Sequence, residues 1–538
     1  MAHTERVVIL VDMDCFYCQV EEKLDLSLEG KPIAVVQYNA WRGGGIIAVN
    51  YPAREKGVTR HMRGDEAKQK CPEIVLARVP EVRGKADLTK YREAGKRVAE
   101  VLQTFTPLLE RASVDEAYLD VTEVVRKRMN QDFEKVCIDN MQNTYVVGCD
   151  TKDFLYNVHN DKEYSESNCR LAMGGLIAEE IRANIYNKTG YKCSAGIAHN
   201  KILAKLVCGL HKPNKQTIIP QESVPELYKH LPLRKVKSLG GKFGDALSEQ
   251  LKITNMGELI RFSERELTKR FDGKTANWLY NVARGIDLEP VTVRLISKSI
   301  GCCKKFPGRN ALITSESVEH WTSELASEIS ERLSKDLEEN NRRAKQMVVS
   351  FAQEINKGDV SSSRTLPLNT YDQIKIAQCA FDTIKKFCLR ADGTYKIKFL
   401  GISVGNFEEN KNTSNITAFF KTIRDSKNLE KSPVSTKTIN KENMSFPTIP
   451  ILGEFQLSPE SVENKVCTDL NSTLSKSVLS LNEIITEEKS SDDDDGNVSI
   501  YSATTEELNE DTKSLIYYED IYPESIASQP VFKKNILT

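Results

Sequence analysis

Between residues 6 and 220, short β-branched apolar runs alternate with amphipathic helical patterns, and this alternation constrains the fold more than any other feature of the sequence. The run RVVILV (6–11) stops at Asp12 and is followed by the helical pattern CFYCQVEEKL, then by KPIAVVQY (31–38) and GGIIAVNY (44–51). A helical segment, DLTKYREAGKRVAEVLQTF (87–105), precedes two apolar runs, PLLERAS and EAYLDVT. These break at Val114-Asp115 and read as a hairpin or two adjacent strands. LAMGGLIAEEIRANIYNKT (171–189) predicts a helix, and CSAGIAHNKILAKLVCGL (193–210) a strand followed by a helix. Residues 126–170 are rich in Asn, Asp, Lys and Tyr without periodicity, and read as a surface insertion.

From 220 to 290 the pattern becomes helical with Gly-bearing turns, which predicts a small separate helical domain. Residues 293–407 return to mixed character, with a helix over 321–340, strands at QMVVSFAQEI and KFLGISVGNF, and a helix around DQIKIAQCAFDTIKKFC. The fold class is therefore multidomain α/β (α+β). Beyond Phe407 aromatics thin out and SSDDDDGN (490–497) appears, so 408–538 reads as a disordered acidic tail. The net charge of −1 conceals a body, 1–407, at +9 and a tail at −10. A basic body suits a polyanionic partner, and the acidic tail favours solubility. Thirteen scattered cysteines and no secretory leader imply reduced thiols in cytosol or nucleus. No apolar stretch approaches the roughly 18 residues of a membrane span. The length excludes a peptide hormone or a disulfide knot.

The sharpest chemical signal is V-D-M-D (11–14) at the end of the first strand together with S-V-D-E (113–116) between two others. Carboxylates at strand ends of one sheet can converge on two Mg²⁺ ions, which take oxygen ligands and leave positions for substrate phosphates. Asp12, Asp115 and Glu116 are the candidates; either motif alone reads equally well as acids solvating a turn. Arg54 and Arg60 in YPAREKGVTR and Lys212 in HKPNKQT are cations suited to a triphosphate, each otherwise a solvated basic residue. WRGGGII (41–47) lacks a following G-K-[ST] and is no P-loop, but a tight turn into a strand. LGGKFGDAL (239–247) sets glycines between helical segments, where backbone N–H groups could meet a phosphate or simply form an interhelical turn.

VDMDCFYCQVE, AVVQYNAWRGGGIIAVNYPAREKGVTRHMRGDEAK, KYREA, LLERASVDEAYLDVT, AGIAHNKILAKL and KPNKQT together resemble the Y-family of translesion DNA polymerases, in particular the insect members of its eta branch. The resemblance runs in unbroken order over 5–407. It implies a right-hand polymerase: a ferredoxin-like palm (1–14 and 88–219, with the 126–170 insertion), small fingers (15–87), a helical thumb (220–290) whose LGGKFG hairpin rests on DNA phosphates, and an α/β little finger (293–407). DNA binding would be sequence-independent and salt-sensitive. With every domain assigned, no proofreading exonuclease is expected.

The resemblance assigns the metal ligands to Asp12, the carbonyl of Met13, Asp115 and Glu116, for two Mg²⁺ with Mn²⁺ as a substitute, and makes Ser113 an orienting neighbour. It maps triphosphate contacts to Tyr51, Arg54 and Lys212, and nucleotide contacts to the backbone around Cys15, Phe16 and Tyr17. Tyr17 stands at the steric gate that excludes a ribose 2′-OH, where the eta branch more often has Phe. Gln37, Ile47 and Arg60 match the pocket that admits two linked pyrimidines, while His61 and Arg63 depart from the vertebrate pattern of a small residue and a large aromatic.

After residue 388 the only cysteine is Cys467, and no histidine follows His320, so the branch's ubiquitin-binding zinc finger is not expected in this chain. TSNITAFFKT (413–422) carries Ile416, Phe419 and Phe420 at the spacing of a sliding-clamp peptide, and its FFK resembles a motif that docks on the family's scaffold polymerase. The expectations are a monomeric nuclear enzyme acting on primer–template DNA and dNTPs. The alternatives are an iota- or kappa-type relative and a catalytically idle DNA-binding scaffold.

Overall fold

The computed structural model describes residues 5–37, 41–161, 166–355 and 358–409. The expected peptide at Ile416, Phe419 and Phe420, and the tail, lie outside the described residues. Strand β1 (Val8–Met13) leads into helix α1 (Phe16–Leu24), and β2 (Ile33–Val36) and β3 (Ile46–Val49) follow. Helix α2 (Tyr51–Glu55) starts where the Asn50 side chain accepts the Ala53 amide at 3.2 Å and Pro52 occupies the first turn, both strong N-terminal signals. After α3 (Gly64–Lys70) comes β4 (Val75–Arg78), completing a small sheet of order β3-β2-β4. A short hairpin, β5 (Glu81–Val82) and β6 (Lys85–Ala86), precedes α4 (Thr89–Leu102).

The chain then builds β7 (Leu109–Arg111), β8 (Glu116–Asp120), α5 (Thr122–Arg128), β9 (Thr144–Val146), α6 (Thr151–Asn160), α7 (Glu166–Thr189), β10 (Cys193–Ala198), α8 (Lys201–Cys208) and β11 (Gln216–Ile218). A six-stranded sheet forms in the order β7-β8-β1-β10-β11-β9. Alternate residues of β1 serve two cores: Ile9, Val11 and Met13 pack with α4 and α7 residues, and Val8 and Leu10 with α8 residues. Burial on both faces explains why the strand reads as an unbroken apolar run.

Two expectations change here. Residues 126–170 are not a surface insertion: Val136, Met141 and Phe154 are fully buried, and β9 pairs in parallel with β11. A three-residue strand is too short to show alternation, so the composition pointed to the surface. The helices α9 (Val224–Lys229), α10 (Lys242–Leu251), α11 (Glu264–Thr268) and α12 (Gly273–Val282) are not separate in their packing. Leu247, Leu251, Met256, Leu267 and Leu279 share one core with Val8, Leu10 and Leu203 of the sheet layer.

The C-terminal unit has its own core and comprises β12 (Ser299–Lys305), α13 (Ser315–Asn340), β13 (Arg342–Ile355), β14 (Gly358–Pro367), α14 (Gln373–Cys388) and β15 (Ile397–Glu409). Its antiparallel sheet has the order β12-β15-β13-β14. Helix α13 begins earlier than the periodicity suggests, at a Thr314 side chain that accepts the Ser317 amide at 3.2 Å.

Candidate active site

The antiparallel register of β1 sets Asp12 directly opposite Glu116 on β8 and Ser194 on β10. The Met13 amide donates to the Asp115 carbonyl at 3.0 Å, so the turn before β8 is tied to the end of β1. Within that turn, the Ser113 hydroxyl oxygen accepts the amides of Asp115 at 3.2 Å and Glu116 at 3.0 Å, and the hydroxyl bonds the Asp115 carboxylate. Ser113 thus orients the acidic turn from its own side chain.

Cations meet these acids. The Lys205 ammonium on α8 lies 2.6 and 2.7 Å from the two Glu116 oxygens, and the Lys212 ammonium bonds Asp12. Burial by itself would raise the Glu116 carboxyl, but Lys205, with hydrogen bonds from its neighbours, holds it below the ordinary range. Burial would equally lower the Lys205 ammonium, and the charges of Glu116 and Asp12 carry it upward instead. Helix α8 reaches this position because β10 has no side chain at Gly196: a Cβ there would stand 2.0 Å from the Ala204 carbonyl oxygen.

Asp14, the other acid of V-D-M-D, is 2% exposed and committed internally. It accepts the Ser194 hydroxyl at 2.8 Å and the Asn214 amide at 2.7 Å. Among the described residues no three His, Cys, Asp or Glu side chains are grouped to hold a metal ion. Asp12 and Glu116 are instead neutralised by lysines, and Asp115 is engaged by Ser113. The donor set is nonetheless hard oxygen throughout, near the ends of the interior strands β1 and β8, and anionic sites that already draw ammonium groups suit Mg²⁺.

Around this centre, Cys15 has φ 41° and starts α1, with Phe16 buried edge-on against Tyr191. Tyr17 stacks on Tyr91 at 3.9 Å with the rings 13° apart. Burial first, and then the Asp115 charge, push the Tyr17 hydroxyl up to about 12. Tyr91 hydrogen-bonds Glu21, itself paired with Lys90 at 2.6 Å, so the stack is fixed from behind. The positive charge of Arg60 also acts on Tyr17.

The other sequence-derived residues sit on the β2-β3-β4 layer. Arg54 donates to the Val49 carbonyl at 2.9 Å and lies 5.0 Å from the Tyr51 ring centre. The Gln37 amide bonds the Gly45 carbonyl at 2.9 Å, and Ile47 packs half-buried against the main core. The Gly-rich turn is clasped to α3 by Arg42, 2.8 Å from Asp65 and 2.7 Å from Glu66. His61 is exposed and Arg63 begins α3. Sequence reasoning omitted Lys205, Asp14 and Arg182. The signal for the first was present: Lys201 and Lys205, four apart in the apolar helix KILAKLVC, require buried acidic partners.

A family model described as the impB/mucB/samB family matches residues 11–209, and one for its C-terminal domain matches 297–417. Between them, a model described as DNApol eta/Rev1, HhH motif, matches 231–286. The chain is similar to DNA polymerase eta of Drosophila melanogaster, 54% identical over 75% of this chain and 49% of that protein. It is similar to DNA polymerase eta of Arabidopsis thaliana, 39% identical over 84% of this chain and 67% of that protein. DNA polymerase IV of Francisella tularensis subsp. novicida is 34% identical over 59% of this chain and 80% of that protein. The chain spans about half the length of the Drosophila relative.

Proposed function

The chain belongs to the Y-family of DNA polymerases, the impB/mucB/samB family, and from this membership we propose that it is a low-fidelity, template-directed DNA polymerase of the eta type. Its task in this reading is synthesis past ultraviolet lesions such as cyclobutane thymine dimers, in the nucleus. The observation that carries the reading is the opposition of Asp12 and Glu116 across β1 and β8, with Asp115 on the tied turn between.

The Asp12, Asp115 and Glu116 carboxylates and the Met13 carbonyl would hold two Mg²⁺, or Mn²⁺ in their stead. When bound, such ions supply Lewis-acid activation of the primer 3′-hydroxyl and neutralise charge on the departing pyrophosphate. Lys212, Arg54, Tyr51 and Arg60 bind and orient the triphosphate, and the backbone at Cys15, Phe16 and Tyr17 presents the N-terminus of α1 to it. The Tyr17 ring, held by Tyr91, occupies the space of a ribose 2′-hydroxyl. Gln37, Ile47 and Arg60 line the template pocket. In this reading the six-stranded sheet is the palm, the β2-β3-β4 layer the fingers, α9–α12 the thumb and the C-terminal unit the little finger. The segment 413–422, with Ile416, Phe419 and Phe420, is its contact to a sliding clamp or scaffold polymerase.

Primer extension across a cis-syn thymine dimer tests the proposal. Insertion of two adenines opposite the dimer, dependent on a divalent ion, is expected. Extension on undamaged template with a block at the dimer would remove the eta assignment. DNA binding without synthesis on either template would remove the polymerase.

A further inference from the structure

We propose that Arg182 is a positioning residue for nucleotide binding, acting with Tyr145 on the loop that carries Lys212. The inference rests on the reading of Lys212 as a triphosphate contact. That loop joins α8 to β11, and a connection of this kind holds a charged side chain in one place only if its backbone is fixed from outside. Here the fixing comes from helix α7 and from β9, neither of which carries a residue assigned to the chemistry.

Arg182 is 6% exposed, and its guanidinium reaches three elements at once. Its Nε donates to the Cys193 carbonyl at 3.0 Å, on the first residue of β10, opposite Met13. Its Nη2 donates to the Asn214 carbonyl at 2.5 Å and to Asn214 Oδ1 at 2.9 Å, two residues beyond Lys212. Its Nη1 pairs with Glu179 at 2.9 Å. The other Glu179 oxygen accepts the Asn143 amide at 2.9 Å and the Thr144 hydroxyl at 3.0 Å. One planar fork therefore registers the loop against the strand beside the metal-ligand strand, a geometry that a lysine cannot reproduce in full.

The segment that looked like a surface insertion grips the same loop from its other end. Tyr145 stacks on His211 at 3.9 Å with the rings 6° apart, and His211 Nδ1 lies 2.9 Å from the Thr217 hydroxyl. Lys215 donates to the Asn143 side chain at 2.8 Å, and the Gln216 amide to the Asn143 carbonyl at 2.9 Å. The Asn214 amide meets Asp14 at 2.7 Å. Lys212 is thus carried by a short stretch anchored on both sides. A purely structural arginine would be equally buried and bonded, so the distinguishing readout is the division between KM and kcat.

The test is single-nucleotide insertion by the full chain, with KM for dNTP and kcat measured for Lys212→Ala, Arg182→Gln, Arg182→Lys, Tyr145→Ala and, for comparison, Arg128→Gln. Arg128, bonded through both terminal nitrogens to Glu180 at 2.7 Å, pairs with the same helix without touching the loop's anchors. The expectation is a KM raised about tenfold by Lys212→Ala and by Arg182→Gln, with kcat within about twofold of wild type. Arg182→Lys should recover part of the loss, Tyr145→Ala should raise KM about threefold, and Arg128→Gln should leave KM unchanged. Arg182→Gln added to Lys212→Ala should raise KM no further, because the two act as one unit. If Lys212→Ala raises KM while Arg182→Gln and Tyr145→Ala do not, the inference falls and the nucleotide reading stands. If Lys212→Ala leaves KM unchanged, the nucleotide reading falls and the inference with it. Should Arg182→Gln not fold, unchanged KM in both Arg182→Lys and Tyr145→Ala overturns the inference.

Discussion

Replacing Lys201 with Met should destabilise the protein far more than replacing its partner Glu110 with Gln. Lys201 is 1% exposed, with its ammonium 2.9 and 3.0 Å from the Glu110 oxygens and 2.5 Å from Glu289. Glu110 also accepts the Thr292 amide at 2.9 Å and faces Arg294 at 3.6 Å. The cluster fastens the strap before the C-terminal unit to the edge of the main sheet, where the Arg294 amide bonds the Leu109 carbonyl and the Arg111 amide bonds the Arg294 carbonyl, both at 2.9 Å. Removing one partner of a buried pair costs about 3–5 kcal/mol, because the other charge stays buried. Arg294 and the Thr292 amide still serve Glu110 in Lys201→Met, which places the cost near the low end, about 3 kcal/mol. In Glu110→Gln the amide oxygen can keep the Thr292 bond, and Lys201 keeps Glu289, so about 1–2 kcal/mol is expected. At roughly 2–4 °C per kcal/mol for a unit of this size, Lys201→Met should lower Tm by about 6–12 °C. The double variant should cost at least about 1 kcal/mol less than the sum.

The same cluster predicts a pH dependence. Burial alone would raise the Glu110 carboxyl, but the Thr292 amide and Lys201 outweigh it and hold the group below its ordinary value of 4.5. A depressed carboxylate stabilises fully above that value and loses its contribution as pH falls through the folded-state value. Thermal unfolding followed by circular dichroism from neutral pH downward should show this acid loss in wild type and a smaller one in Lys201→Met. A Lys201→Met protein within about 0.5 kcal/mol of wild type, or less damaged than Glu110→Gln, would refute the reasoning.

Gly196→Ala should lower stability by about 1–3 kcal/mol in urea titrations, since the added methyl displaces α8 from β10; nucleotide insertion should fall with it as Lys205 leaves Glu116. Tyr17→Ala should weaken discrimination against ribonucleotides by roughly 10²-fold in kcat/KM ratios, while Tyr17→Phe keeps it, because the ring supplies the exclusion. Glu354, hydrogen-bonded by Lys396 and Lys398, is drawn down to about 2. Its contribution is therefore present above about 4.5 and lost as pH falls toward about 2, so the melting curves of wild type and Glu354→Gln should converge at the acid end.

Much of the fold was legible where local pattern and burial coincide. The run ending at Asp12 and the pair broken at Val114-Asp115 are a central strand and a hairpin because both faces of that sheet are covered. Strand β14 was not legible: GDVSSSRTLP has no buried residue and resembles a polar loop, although it pairs along its whole length with β13. Hydrogen bonds from a long partner strand hold it, and no property of its own residues signals them. The sharing of one core by the sheet and α9–α12 was hidden for a related reason, since helix periodicity reveals a buried face but not what covers it. At the site, the motifs pointed to Asp12, Asp115 and Glu116, and the structure brings them together, Asp12 opposite Glu116 and the Asp115 carbonyl on the Met13 amide. The spacing of Lys201 and Lys205 on an apolar helix signals buried acidic partners but not which ones, and the partners of Lys205 and Arg182 came into view only with contacts spanning 89 and 32 residues. Lys212, expected on phosphate, bonds the half-buried Asp12 and lies 3.6 Å from Asp14, since two carboxylates draw an ammonium within reach.

The most direct measurement is the rate of single-nucleotide addition to an annealed primer–template with Mg²⁺, by wild type and by the Asp115→Asn, Glu116→Gln double variant, with DNA binding measured alongside. The account predicts template-complementary addition by wild type, a loss of at least about 10³-fold in the variant, and equal DNA affinity. Addition by the variant at the wild-type rate, or DNA binding by wild type without addition, would contradict it.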